Sequence, residues 1–347
     1  MDPEALDALV DESPTGGNEA GRVHHGGARD TRRLDFSANV NPRRPTGTAH
    51  AYESAFAAAC RYPADDYPAY RAAAADHVGC AARQVLPTHG AMGALRLAVG
   101  ATVQSGDAAL VPAPSFGEYA CEVKRQGGTV DHVPADALFS VDPAPYEIAF
   151  VCQPNNPTGR AYSPGCLREF ADRCRSVGTV LVVDEAFLDF TRFDSVAGRP
   201  GIVVLRSLTK IFGLPGLRMG FAVATGGLRE RLGVARQPWS LSVPAAAVGE
   251  HCLGDEDFVT KTRERVTAER ERMRERLDSR FDVAPSSAPF LLLEADDAAA
   301  VDGTLDTARA AGLALRDARS FRGLDRHIRV AVRLPHENNR LLDALDV

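Results

Sequence analysis

Between about residues 105 and 225 the chain alternates short apolar runs with stretches of helical character, and no other feature limits the fold as strongly. The runs are Ala109–Val111, Ile148–Cys152, Val180–Val183, Ile202–Leu205 and Gly220–Ala224. Strands separated by helices pair through crossovers, so the pattern predicts an α/β protein built on a mostly parallel sheet. The unit from Glu147 to Asp184 shows it best: a strand, a Pro/Asn/Gly turn, a helix over about Pro164–Val177, and a second strand ending in Asp184-Glu185. It reads as a right-handed βαβ unit. Past a long charged helix, strand signals at Phe290–Glu294 and Ile328–Arg333 and helices near Thr304–Ala311 and Asn338–Leu345 predict a small α+β C-terminal domain. A chain of 347 residues has room for about two such units. The expected division is an N-terminal arm over 1–49, a large domain over 50–250 and a small domain over 251–347. The first thirty residues carry no sustained periodicity and are expected to wrap over the surface.

Several function classes are excluded early. A net charge of −6 gives no overall attraction for a polyanion. The one local basic stretch, Lys261 to Arg280, mixes eight Lys/Arg with five Asp/Glu and reads as a solvated amphipathic helix, so no nucleic-acid partner is expected. Apolar runs such as Phe290 to Leu293 fall far short of the ~18 residues that span a bilayer. Met1 to Glu12 is acidic and lacks the pattern of a signal peptide. Seven scattered cysteines without a Cys-x-x-Cys pair form neither a disulfide framework nor a zinc array, which suits a reducing cytoplasm. The His24-His25 pair is a poor chelate, and no metal is expected.

In parallel sheets, ligands sit beyond the carboxyl ends of strands. Thr88-His89-Gly90-Ala91-Met92-Gly93 places small residues at a helix start, where N–H groups either hold a phosphate or serve an ordinary cap. Gln153-Pro154-Asn155-Asn156-Pro157-Thr158-Gly159 follows one strand, and Asp184 ends another whose apolar residues imply burial, so its carboxylate needs a partner. After a third strand come Arg206-Ser207-Leu208-Thr209-Lys210 and then Arg218. An amine, a carboxylate, an amide and a phosphate-binding group, each suited to a different part of one molecule, together fit pyridoxal phosphate.

The set Asn156-Pro157-Thr158-Gly159, Asp184-Glu185-Ala186-Phe187 and Ser207-Leu208-Thr209-Lys210 with Arg218 resembles fold-type I pyridoxal-phosphate enzymes of the aspartate aminotransferase superfamily. The likeness spans nearly the whole chain. It implies Lys210 as the imine-forming lysine and proton shuttle, Asp184 as partner of the pyridine nitrogen, and Asn156 as partner of the ring hydroxyl. Gly90, Ala91 and Met92 match the backbone phosphate cradle, and Ser207 and Arg218 its side chains. Phe116 matches the aromatic that stacks on the ring. Tyr62 matches a tyrosine that reaches the neighbouring subunit's cofactor, which implies a homodimer with shared active sites.

Two members of that superfamily are closest in pattern: threonine-phosphate decarboxylase of cobalamin biosynthesis and histidinol-phosphate aminotransferase. His25-Gly26-Gly27 followed by Asp35-Phe36-Ser37-Ala38-Asn39-Val40-Asn41-Pro42 resembles the decarboxylase opening. So do Phe187, Trp239 in its Pro-Trp-Ser segment, and Arg333 in Arg329-Val330-Ala331-Val332-Arg333. A phosphorylated amino acid carries two anionic groups, and Arg329 and Arg333 alternate onto one face of a strand. The resemblance therefore implies a decarboxylase acting on L-threonine O-3-phosphate, with His25, Asn41, Arg329 and Arg333 holding the substrate. A class I/II aminotransferase and a catalytically idle binding module are the alternatives. Arg43-Arg44, Gln153 and Thr88-His89 with Gly93 depart from the usual pattern.

Overall fold

The structure is a computed structural model and describes residues 1–11, 26–28, 30 and 32–347. Its strands run β1 (Leu34–Asp35), β2 (Val85–His89), β3 (Ala108–Ala113), β4 (Thr129–Pro134), β5 (Ile148–Cys152), β6 (Val180–Asp184), β7 (Ile202–Ser207) and β8 (Met219–Val223). Seven of them form one sheet in the order β2-β8-β7-β6-β5-β3-β4. Every neighbouring pair is parallel except those of β8, which is antiparallel to both β2 and β7. This is the mostly parallel sheet expected from the sequence.

The topology decides where chemistry can gather. The parallel strands all end at one edge, and because β8 runs backwards its start, next to Arg218, lies at that edge too. From β3 the chain moves outward to β4 and returns to β5 on the other flank of β3, so the loops after β3 and β5 diverge and leave a crevice. Strands buried on both faces need continuous apolar runs, and all five residues of β5 are buried. Helix Gly90–Thr102 covers one face through Ala94, Leu95, Ala98 and Val99. Helix Pro164–Val177 has Pro at its first turn, a Ser163 hydroxyl accepting from the Cys166 N–H, and Gly178 at φ 89° as its stop.

The C-terminal part adds β9 (Asp282–Val283), β10 (Phe290–Glu294), β11 (Leu313–Ala314), β12 (Arg316–Asp317) and β13 (His327–Ala331). Four of these form an antiparallel sheet ordered β12-β13-β10-β9. β1 of the N-terminal arm pairs in parallel with β11 as a separate two-stranded sheet, and the Ala331 N–H at the end of β13 donates to the Phe36 carbonyl at 2.9 Å, which ties the arm to the C-terminal part. Helix Glu256–Leu277 buries Val259, Val266, Met273 and Leu277 along one stripe and is capped by Asp255, which accepts from the Phe258 N–H. Several elements lie outside the sequence expectation, the two-residue strands β1, β9, β11 and β12 among them. Helix Pro3–Asp11 sits in a segment without long periodicity, and β2 and β4 each contain or end in a proline that obscures the strand signal.

Candidate active site

A cavity of about 300 Å³ opens at the strand-end edge, walled by the large sheet, the small sheet and the arm. On one side, β2 ends at His89 and Gly90 starts a helix with φ 76°. That positive φ favours glycine, and a Cβ at Gly90 would lie 2.7 Å from the Arg218 guanidinium, so its absence leaves this cation room against the helix start. The first N–H groups of a helix have no acceptor within it, and Ala91 and Met92 line the cavity. Ser207 Oγ and Thr209 Oγ1 stand 2.7 Å apart on the turn after β7. Hydroxyls, N–H groups and a guanidinium around one space make a receptor for a phosphate monoester.

Lys210 follows on the same turn, half-buried at the cavity wall. Burial first, then the charges of Arg329 and Arg218, lower its ammonium pKa to about 8, with Asp184 opposing. The turn is fixed from behind by the arm. The Asn41 N–H donates to the Lys210 carbonyl at 2.9 Å, and a Cβ at Gly213, whose φ is +66°, would strike the Asn41 and Arg43 carbonyls at 2.5 Å.

Asp184 ends β6 with its carboxylate inside. It accepts from the Tyr119 hydroxyl at 2.7 Å and the Ala186 N–H at 3.0 Å. Burial pushes its carboxyl up, while these two donors and Lys210 pull it back. Burial and the neighbouring carboxylate hold the Tyr119 phenol well above its ordinary value, so it remains a donor. Tyr119 stacks on Phe150 at 5.1 Å and meets Phe116 edge-on at 5.6 Å.

The opposite wall carries two arginines. Arg316 of β12 and Arg329 of β13 are direct cross-strand partners, and both line the cavity. Arg329 donates to Asn156 Oδ1 and to the Ser37 carbonyl, both neutral. Burial and then Arg316 lower its pKa to about 9, which leaves it charged at neutral pH.

Behind Asp184 and Ser207, on the far side of the strand ends, lies a buried ion network. Arg206 donates to Glu185 at 3.2 Å and to Asp189, and His77 sits 3.0 Å from Asp189. Glu185 also accepts from the Ser195 hydroxyl at 2.6 Å and the Val196 N–H at 2.9 Å. The network joins the ends of β6 and β7, the two strands that present Asp184 and Lys210.

The cavity thus brings together Ala91, Met92, Phe116, Asn156, Asp184, Ser207, Lys210, Arg218 and Arg329 of the residues singled out in the sequence, with Gly90 against Arg218. Three others lie elsewhere. Asn41 is buried outside the cavity lining, donating to the Ile211 carbonyl and accepting from Arg265. β13 ends at Ala331, so Arg333 lies past the strand and pairs with Glu337 at 3.0 Å. The expected Arg329/Arg333 pair is therefore replaced by Arg329 with Arg316. Tyr62 is 80% exposed and packs against Trp239 with ring centroids 4.6 Å apart and planes tilted by 31°. His25 lies outside the described residues. The sequence reading gives no role to Arg316, Asn39, Thr209, Phe321, Cys152 or Tyr119, although Asn39 and Thr209 stand inside the motifs quoted above and Tyr119 lies three residues after Phe116 at a helix start.

The donor set fits pyridoxal phosphate. Arg218, Ser207, Thr209 and the helix start suit its phosphate, Asp184 a ring nitrogen, Asn156 a ring oxygen and Lys210 an aldehyde. Asn39 Oδ1 and Arg329 Nε are buried at the wall without a hydrogen-bond partner, as expected where a polar ligand belongs. Among the described residues no group of His, Cys, Asp or Glu could hold a metal, and no helix is long and apolar enough to cross a membrane.

Comparison with known proteins gives concordant results. The family model "Aminotransferase class I and II" matches residues 33–345. Histidinol-phosphate aminotransferase 2 of Archaeoglobus fulgidus is 30% identical over 324 residues, covering 90% of this chain and 92% of that protein. Threonine-phosphate decarboxylase of Salmonella typhimurium is 32% identical over 339 residues, covering 90% of each. Among solved structures, histidinol-phosphate aminotransferase from Sinorhizobium meliloti in complex with pyridoxal 5'-phosphate superposes with a TM-score of 0.81 at 21% identity, over 97% of this chain and 95% of that one.

Proposed function

The chain belongs to the aminotransferase class I and II family, whose members use pyridoxal 5'-phosphate, and within it we propose that it decarboxylates L-threonine O-3-phosphate to (R)-1-amino-2-propanol phosphate. The observation that carries this reading is the juxtaposition of Arg316 and Arg329 on one wall of a small cavity. Two adjacent guanidiniums suit a short substrate with two anionic ends, one carboxylate and one phosphate. Phe187 in place of a hydroxyl-bearing residue leaves Asn156 as the polar group for the ring oxygen.

When bound, pyridoxal phosphate supplies an electron sink for a pair of electrons left at the substrate Cα. The protein's part is positional and protonic. Asp184, kept in line by Tyr119, holds a proton at the ring nitrogen. Arg329 and Arg316 grip the two anions and so determine which Cα bond is presented for cleavage. For decarboxylation that bond is Cα–carboxylate: CO2 leaves without the electron pair, and Lys210 Nζ, lowered to about 8 and hence readily deprotonated, delivers one proton to Cα. Net, one proton is taken up per CO2 released.

The exposed Tyr62 with Trp239 supports a homodimer in which Tyr62 serves a second copy's site. A second reading, histidinol-phosphate aminotransferase, is favoured by the Archaeoglobus relative. Incubation of the holoenzyme with L-threonine O-3-phosphate, beside histidinol phosphate with 2-oxoglutarate, separates them. CO2 with the amino-alcohol phosphate supports the decarboxylase, and glutamate without CO2 replaces it by the aminotransferase.

A further inference from the structure

Arg316 and Arg329 are set in register across two antiparallel strands, so two like charges are held side by side. Arg329 donates to a carboxamide and a carbonyl, neither of which neutralises it. What both guanidiniums share is one aromatic ring. The Phe321 centroid lies 5.4 Å from the Arg316 guanidinium carbon and 5.6 Å from that of Arg329. Phe321 is itself 8% exposed and lines the cavity, held from behind by Leu292, Ala318 and Leu324. An aromatic face carries negative charge density and attracts cations within about 6 Å. One ring in contact with two cations eases their repulsion and fixes the planes they present.

We propose that Phe321 is a positioning residue that holds Arg316 and Arg329 as a matched pair and thereby sets selectivity for a substrate with two anionic groups. The inference rests on the decarboxylase reading only for the choice of probe. Leucine keeps apolar bulk but has no quadrupole, whereas tyrosine keeps the ring, so the two variants separate packing from cation binding.

The test compares Phe321→Leu and Phe321→Tyr with the native holoenzyme. Dissociation constants for L-threonine O-3-phosphate and L-threonine are read from the rapid spectral change of the bound cofactor. The expected result in Phe321→Leu is about tenfold weaker binding of the phosphorylated compound, with L-threonine within about twofold and both constants near native in Phe321→Tyr. Equal weakening toward both compounds, no weakening in Phe321→Leu, or a native enzyme that does not prefer the phosphorylated compound each overturns the proposal. Selective binding that depends on the ring, without CO2 release, upholds this inference while overturning the decarboxylase.

Discussion

The Tyr119 hydroxyl donates to Asp184 Oδ2 at 2.7 Å, and both groups are buried. Burial pushes the Asp184 carboxyl up, and the tyrosine's hydrogen bond opposes it, favouring the ionised form. Tyr119→Phe preserves the stack on Phe150 and removes only this donor. A lost hydrogen bond to a charged group is worth about 1.5 to 3 kcal/mol, so cofactor affinity should fall roughly tenfold or more, measured by equilibrium dialysis, while the apoprotein stays folded.

Lys210 should capture pyridoxal phosphate faster as pH rises through about 8 and no faster beyond it, because only the neutral amine is a nucleophile. Stopped-flow absorbance on apoprotein measures this. Arg329→Gln removes a repelling charge and should move the midpoint upward. Lys210→Ala should fold yet show no covalent capture after borohydride reduction.

Arg316→Gln should raise KM for the phosphorylated substrate roughly 10- to 100-fold, the loss of one charge-assisted bond. Arg333→Gln should leave KM nearly unchanged and cost about 1 to 2 kcal/mol of stability, since Arg333 pairs with Glu337 and donates to the Asp35 carbonyl. Steady-state kinetics and denaturant melts of the two variants distinguish these roles.

Asp189 is held well below the usual carboxylate range by Arg206 and His77, against the cost of burial. A depressed carboxyl stabilises the fold fully above the unfolded pKa, about 3.9, and ever less as pH falls below it. The Tm gap between native protein and Asp189→Asn should therefore be widest near pH 7 and narrow below about pH 4. Arg206→Met strands buried charge and should cost about 3 to 5 kcal/mol.

How far the fold and the site are legible in the sequence depends on whether a residue's role is local. β5, β6 and β7 are continuous apolar runs, and the polar residues just past each run are placed by sequence adjacency, so Asn156, Asp184, Ser207 and Lys210 can be read together. Arg316 cannot. Its strand is two residues long, and it meets Arg329 only through cross-strand register. Arg333 is misplaced by sequence reading for the converse reason, because strand alternation extends two residues past the end of β13. Asn41 shows a third case: an arm residue of the right type whose amide is taken up bracing the loop after Lys210.

Whether the proposed reaction breaks the Cα–carboxylate bond and leaves Cα–H intact is read most directly from turnover in D2O, followed by mass spectrometry and proton NMR. The expected product is amino-alcohol phosphate that retains the original Cα hydrogen and gains one deuterium from solvent, with unreacted L-threonine O-3-phosphate free of deuterium. Recovered substrate with deuterium at Cα, or an oxo product without CO2, would show that the hydrogen leaves first and would contradict the proposed decarboxylation.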